Sequence, residues 1–586
     1  MARFGHDRGS PPTGALGSLR VRSVRSRLNS LVRDLAYMIR NPLARRGRRQ
    51  LRNLMRGFRH TLRNHKMEEI RGLESALVGR MVAFIPGLAE RMIFGAQHLR
   101  AEIIVRQFLL QRYAGPALRR ELFCALGGKY GAIAYPLPSI WQRLLIEDGV
   151  AVNRWASSLA WSAAILSRYV HGAFLIAKLC AGGLMSVFSI TPAPIRTHAC
   201  FHALNKRNLP HSSDGKLGYD ICSWYAAWPG RDPAVEVITH DVADAPAVNL
   251  GAITVEYMLE PYTHLKSTRQ LGQFILWAVP SLLLAFTSML RGRWWNALML
   301  GEAARAEVVR LADSESLASD YLFHFSRSIY RPMWTYVAEA KGSRVACYFY
   351  STYAQPKLHG KEEGQYFEWG PTTWPVFLVW DAYQADTLKR DLGQGTPVRI
   401  VGPIHFSDAI PIAPEIPVNA IAVFDIQPHR KSNTSGISTL YEYYYANPSM
   451  HKLFLEDIHA TIRECGFSMV LKEKRYIAAD GERRYGTQLQ QLAGESDVTI
   501  APPELAAPRL MQKCIGAISS PFTSTALYFQ DQGYPSVYYD PLGVLEKDDP
   551  AAHGIQILTS RSELRTWAKT LLQAGHHQFS MEGKCE

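Results

Sequence analysis

Ile515-Gly516-Ala517-Ile518-Ser519-Ser520-Pro521-Phe522-Thr523-Ser524-Thr525 runs on into ALYFQD (526–531), Gly533 and Ser536-Val537-Tyr538-Tyr539. A short uncharged run gives way to a proline-containing turn. A hydroxyl-rich helix start follows, then a glycine beyond the helix end, then a second run of β-formers. This is the signature of a strand, a tight turn, a helix and a returning strand. The same alternation extends in both directions. Downstream a closing helix is expected over 563–572. Upstream, strands are expected over 421–426, 467–471 and 498–501, with helices over 448–465 and 504–513. Gly466 closes the first of these helices as a C-cap residue.

Residues 405–418 interrupt the pattern with Pro411, Pro414 and Pro417 and read as a linker. Before them the alternation returns. Strands are expected over 235–239, 321–325, 344–350, 374–380 and 398–401, and helices over 333–340 and 382–392. Short apolar strands alternating with helices predict parallel sheets with helices on both faces. The expected fold is therefore α/β: two Rossmann-like doubly wound domains, preceded by a basic, largely helical region. Residues 196–404 form the first domain, with an apolar insertion at 271–300, and 419–586 form the second.

The 586-residue chain is 47% hydrophobic and 20% charged, the composition of a protein that buries sizeable cores. Its net charge of +15 is local. Residues 1–66 hold sixteen Arg and one Lys against Asp7 and Asp34, leaving equal numbers of basic and acidic side chains in 67–586. A neutral body with a basic arm does not have the basic face that a duplex-binding domain requires, so no nucleic-acid partner is expected. Val24, Leu28, Leu31, Val32 and Leu35 recur at helical spacing among arginines. The arm reads as an amphipathic helix for an anionic membrane surface, a transit peptide, or a solvated tail.

Residues 67–195 read as helical and apolar, with Gly127-Gly128-Lys129 a turn rather than a P-loop. Residues 271–290 carry no charge between Arg269 and Arg291, about the length of a bilayer span. Pro280 and Trp294-Trp295 equally suit a helix pair seated shallowly in a membrane. Residues 155–188 are apolar but broken by Arg168, His171 and Lys178. The expected location is peripheral or monotopic, on the cytoplasmic face of the inner membrane. None of the eight cysteines forms a CxxC pair, which points to reduced thiols.

In doubly wound sheets ligands bind beyond the carboxyl ends of the strands. The second domain places unusual residues there: Gln427, His429 and Arg430 after one strand, and Lys472, Lys474 and Arg475 after the next. Glu504 follows a third. Ser519, Ser520, Thr523, Ser524 and Thr525 follow the fourth. Five hydroxyls in seven residues exceed the one that an N-cap needs. With free N–H groups at a helix start they make a phosphate cradle. The basic runs supply charge for a phosphate leaving group. In the first domain Asp320 and His324 flank a strand and Asp381 follows another, making them the candidates for a general base. No Asp-x-Asp stands at a strand end, so no metal site is expected.

Residues 519–540, SSPFTSTALYFQDQGYPSVYYD, resemble the signature of bacterial polysaccharide-biosynthesis proteins named for their PFTS motif. More broadly, 320–545 is similar to GT-B glycosyltransferases of surface-carbohydrate assembly, among them capsule Kdo transferases, bacterial sialyltransferases and teichoic-acid polymerases. CMP-sugar enzymes of this kind carry a His-Pro motif and a Ser-Ser/Thr motif. Ser519-Ser520 and Thr523-Ser524 match the second. His429 follows Pro428 in the reverse order, and Lys472-Glu473-Lys474-Arg475 stands where relatives carry a Lys-Pro-His-Pro-like run. The resemblance implies metal-independent transfer of a sugar from a nucleotide donor, CMP-linked or otherwise, to a surface polysaccharide or lipid-linked glycan, with no separate cofactor. An epimerase or phosphotransferase on the same scaffold, or a non-catalytic assembly protein, are the alternatives.

Overall fold

The computed structural model describes residues 73, 76–81, 98–126, 131–187, 197–204, 206–210, 220–258, 265–325, 330–349, 351, 372–404, 415–426, 428, 448–473, 483–503 and 505–582. The basic arm, the Gly127-Gly128-Lys129 turn and most of the linker lie outside them. The chain is α/β, with two mainly parallel sheets.

Among the described residues the helices before the first sheet include α1 (His98–Tyr113), α2 (Pro116–Leu126), α3 (Ser139–Glu147) and α4 (Arg154–Val187). The first sheet then takes β1 (His198–His202), β2 (Val237–His240), β3 (Val248–Leu250), β4 (Ile253–Tyr257), β5 (Asp320–His324), β6 (Arg344–Tyr348), β7 (Phe377–Val379) and β8 (Val398–Ile400). Helix α5 (Ile221–Ala227) joins β1 to β2. Helices α6 (Thr268–Leu290) and α7 (Trp295–Leu311) lead from β4 back to β5. Helices α8 (Met333–Ala340) and α9 (Ala382–Leu392) follow β5 and β7.

The strand order is β3-β4-β2-β1-β5-β6-β7-β8, and only the β3–β4 pair is antiparallel. The order reverses at β1 and β5, which lie side by side. Alternate residues of each strand face two layers, as the two-residue side-chain period requires. Cys200, Tyr321, Phe323 and Val345 face a core shared with α1, α4, α6, α7 and α8. Phe201, Leu322 and Tyr348 face a second core containing Tyr225 of α5. The first core runs from Leu77 to Leu388, so the described helices before β1 pack against the first sheet.

The second sheet comprises β9 (Ala420–Phe424), β10 (Ser468–Lys472), β11 (Val498–Ala501), β12 (Gly516–Ser519), β13 (Ser536–Tyr539) and β14 (Gln556–Leu558), in the order β11-β10-β9-β12-β13-β14 and parallel throughout. Its helices are α10 (Pro448–Glu464), α11 (Arg483–Ala493), α12 (Ala507–Met511), α13 (Ser524–Asp531) and α14 (Arg561–Glu582). Strand β9 shows why both faces are covered. Ile421 and Val423 meet Phe454 and Ile458 of α10, while Ala420 and Ala422 let Leu510 of α12 approach the other face. Gly466 and Gly533 take positive φ of 76° and 78° beyond α10 and α13. This left-handed conformation costs glycine little.

The elements expected from the sequence recur with ends moved by a few residues, and α8, α9, β11 and β13 keep both ends; the closing helix expected over 563–572 runs on to Glu582 as α14. The expected helix over 504–513 is shorter, as α12, because Pro508 sits in its first turn. Strands β1, β3, β4 and β14 and helices α5 and α11 are additional. None of the seven described cysteines forms a disulfide with another described residue.

Candidate functional site

The second sheet reverses direction between β9 and β12. The chain runs β9, β10, β11 to one side and β12, β13, β14 to the other. The chain continues from β9 and from β12 to opposite sides of the sheet, and the carboxyl edge between them is the crevice where such sheets take ligands. Ser519-Ser520 emerge from β12 there and Asp425 from β9. The backbone N–H of Ser520 donates to the Phe424 carbonyl at 2.8 Å, holding the two exits together.

The following turn is tightly fixed. Thr523 Oγ1 donates to the Ser520 carbonyl at 2.8 Å. Tyr538 Oη donates to the Thr523 carbonyl at 3.2 Å. Phe522 adopts φ +59°, a left-handed conformation rare for a bulky residue, and its ring stacks on Tyr538 at 5.6 Å. Thr523 is the N-cap of α13, yet its side chain does not cap the helix. The hydroxyls of Ser519 and Ser520 are fully buried and have no hydrogen-bond partner among the described residues. A buried hydroxyl left unpaired costs about 1–3 kcal/mol. A turn that keeps two of them beside a helix start is suited to an anion that accepts from both.

In register, Ala501, Lys472, Phe424, Ser519 and Tyr538 form one row across the sheet. The structure thus brings Lys472 to the row of Ser519, two strand spacings or about 10 Å away. Its ammonium donates to the carbonyls of Glu473 and Pro503 at 3.3 Å each, tying the ends of β10 and β11. Ser524 and Thr525 open α13, with Thr525 Oγ1 donating to Thr523 Oγ1 at 3.4 Å. Gln427, His429, Arg430, Lys474, Arg475 and Glu504 lie outside the described residues.

Asp425 was not singled out in the sequence. It is buried at the end of β9 and accepts a short hydrogen bond from Tyr485 of α11. Burial first, then the Asp425 and Glu473 carboxylates, push the Tyr485 phenol far above its ordinary range, so it stays a donor. A lone acid directly after the apolar run 420–424 was the available signal.

The first sheet has its own crevice, between β1 and β5. His202 ends β1 and His324 ends β5, on opposite faces of the sheet. The His202 ring stacks on Phe323 at 4.5 Å and the His324 ring lies near-parallel to Phe325 at 5.6 Å. His240 ends the adjacent β2. It is buried, which lowers its pKa and favours the neutral ring, and its Nε2 has no partner among the described residues. Asp241 accepts from the backbone N–H of Ala203 and Leu204 at 2.9 and 3.1 Å, lacing the ends of β1 and β2 together. His202 escaped notice because β1 itself did, whereas His240 and Asp241 stand just past the expected strand over 235–239.

The three acids and bases proposed from sequence do not meet. Asp320 begins β5, about 13 Å from His324 at the other end. It is buried and paired with Arg344 at 2.5 and 2.6 Å, and it accepts a short bond from Tyr225. Asp381 lies after β7, two strands from β5. It caps α9 by accepting from the Gln384 N–H at 2.8 Å and faces His553 Nδ1 at 3.5 Å. Only His324 stands at the β1–β5 crevice.

One group among the described residues has the makings of a metal site: His459, Glu495 and Asp497. It lies at the amino edge of β11. Arg463 fills it, donating to Asp497 at 2.8 and 2.9 Å and making a short bond to Glu495. Its acids are thus already neutralised, at the sheet edge opposite the crevice.

No curated protein matches the chain. Residues 275–568, half of the chain, match the model of a family described as polysaccharide biosynthesis PFTS motif protein, and the match begins within α6 and takes in α7 through β14, with the β5, β9 and β12 exits and the Ser519–Thr525 turn. The chain belongs to the polysaccharide biosynthesis PFTS motif protein family.

Proposed function

We propose that the chain is a glycosyltransferase of the GT-B type, taking a sugar from a nucleotide donor to a polysaccharide or lipid-linked glycan. The observation that carries this reading is the pair of buried, unpartnered hydroxyls on Ser519 and Ser520 at the switch point of a parallel sheet, beside the start of α13. The donor's phosphates accept from these hydroxyls and from the first N–H groups of α13. Asp425, held by Tyr485, faces the same crevice and suits an oxygen or nitrogen donor of the nucleoside. Lys472, in the row of Ser519, supplies positive charge as the nucleotide leaves.

In this mechanism the acceptor hydroxyl attacks the anomeric carbon of the donor sugar. A new glycosidic bond forms as the bond from that carbon to the phosphate oxygen breaks. The electron pair leaves with the nucleotide, and the acceptor's proton passes to a base. His324 at the crevice of the first sheet is the proposed base, because Asp320 and Asp381 are committed to pairing and capping. The positive charge comes from side chains and helix N–H groups, and no metal or cofactor is invoked. A CMP-sugar is the first donor to try, since Ser519-Ser520 and Thr523-Ser524 suit it.

The test is transfer from radiolabelled nucleotide sugars to membrane glycan by the full chain. His324→Ala is expected to lower the rate at least a hundredfold, the scale of a lost general base, with donor affinity unchanged. Absence of any transfer, joined to normal nucleotide binding, would assign the protein a binding role in assembly instead.

A further inference from the structure

Helices α4 and α6 pack antiparallel. Gly183 near the end of α4 packs against Leu265, just before α6, and Leu271 in its first turns, and Tyr169 of α4 lies 5.8 Å from Phe286, towards the end of α6. One face of the pair is buried against α7. The opposite face is bare. Of the 21 large hydrophobic residues exposed among the described residues, seven lie on α4 and seven on α6. Trp155, Phe174 and Leu276 are 77%, 69% and 76% exposed.

A helix on the surface of a water-soluble protein presents charge outward. Here the outward stripe of α4 from Trp155 through Leu159, Leu166, Val170 and Phe174 to Met185 carries one charge, the exposed Lys178, whose long stem can reach a headgroup, and 270–290 in α6 carries none at all. Neither helix contains an acidic residue, while Arg154, Lys266, Arg269, Arg291 and Arg293 stand exposed at the ends of the pair. An apolar face of this extent is unlike the scattered hydrophobics of ordinary surfaces, and a rim in which Arg154, Lys266, Arg269, Arg291 and Arg293 outweigh the exposed Asp313 beside Gln270 complements an anionic surface.

We propose that this face is seated in one leaflet of an anionic lipid bilayer, with both helix axes lying along the membrane plane. Length alone would let α6 cross a bilayer. The packing argues otherwise. A Cβ on Gly172 would stand 2.8 Å from Leu300, so the middle of α4 is pressed onto α7. Directly beside that contact α7 carries Glu302, bonded to Arg305 at 2.7 Å and to Tyr330 at 2.7 Å. A spanning α4 would carry this charged cluster into the hydrocarbon, whereas a helix lying in the plane keeps it on the water side. The exposed stripe then dips about 5–10 Å into the leaflet. Arg154, Arg291 and Arg293 reach the headgroups, as basic side chains do at an interface.

The test is flotation of the full chain with phosphatidylcholine vesicles containing phosphatidylglycerol, repeated in high salt to screen the basic arm. Wild-type protein is expected to float in both. Phe174→Asp/Leu276→Asp/Leu283→Asp changes exposed positions only. It is expected to lose at least tenfold in partitioning at high salt, with its circular dichroism intact. Undiminished flotation of this variant overturns the proposal, as does a wild-type protein that does not float. A discrete wild-type dimer in detergent-free solution, broken by the variant, also overturns it, since the face would then cover a second copy. Bromine quenching reads the orientation without a charged variant. Lipids brominated near the headgroup should quench a tryptophan introduced at mid-helix by Val170→Trp more than lipids brominated near the chain end, read as the difference from wild type. The reverse order contradicts an in-plane seat.

Discussion

Phe522 holds a backbone conformation that a side chain disfavours by about 1–2 kcal/mol. Its stacking on Tyr538, whose hydroxyl also fixes the Thr523 carbonyl, keeps the turn in place. Two substitutions separate these effects. Phe522→Ala loses the ring and keeps the strain, and should destabilise the protein by about 3–5 kcal/mol. Phe522→Gly loses the ring and relieves the strain, and should be about 1 kcal/mol more stable than the alanine variant. Chemical denaturation of both checks this reversal of the usual order. At the same scale Asp320→Asn distinguishes a structural acid from a catalytic one. Loss of the pairing with Arg344 should cost about 1.5–3 kcal/mol, leaving nucleotide binding and transfer per folded molecule unchanged. The Ser/Thr turn could be read from sequence because its hydroxyls are contiguous. Asp425 and Tyr485 could not, because 60 positions separate them and their meeting depends on how α11 packs against β9.

The β-α-β pattern was legible because strands covered on both faces read as short apolar runs, and glycine marks where helices stop. Strand β1 was not, since His198 and His202 bracket only three apolar residues. Helix α11 hid behind a polar composition, although Tyr485, Leu489 and Leu492 recur at helical spacing and are buried. Contacts between elements were invisible for a related reason: they join distant segments. Arg463 near the end of α10 pairs with Asp497 just before β11, and its guanidinium holds the Asp497 carboxyl down to about 2 from an ordinary 3.8. A depressed carboxylate contributes stability that is full above its unfolded pKa and lost as pH falls through the folded value. The stability difference between wild type and Asp497→Asn should therefore be present at neutral pH and shrink between about pH 4 and pH 2. Thermal unfolding across that range measures it, and a difference that persists at pH 2 would show that the pair contributes by other means.

At the scale of the molecule, two sheets each reverse strand order once, and each reversal gathers its polar residues at a carboxyl edge. The β9–β12 crevice collects hydroxyls and a buried acid, and the β1–β5 crevice is flanked by His202 and His324. Elements of the two sheets touch where Asp381 and Tyr383 of the α9 segment meet His553, with Tyr383 edge-on to its ring at 4.7 Å. Burial lowers the His553 pKa, keeping it neutral there near pH 7, while burial and then Asp381 raise that of nearby Asp531. The apolar face of α4 and α6 lies on the layer that packs behind the first sheet. Under the proposed function, one sheet would receive the acceptor and the other would hold the nucleotide donor. That division depends above all on a nucleotide binding at Ser519 and Ser520. Calorimetric titration of the full chain with CMP, CDP and UDP tests it most directly. The account predicts saturable binding of at least one of these, weakened tenfold or more by Ser520→Ala, since a hydrogen bond to a charged phosphate contributes about 1.5–3 kcal/mol. Failure of all three to bind, or equal affinity in wild type and variant, would contradict it.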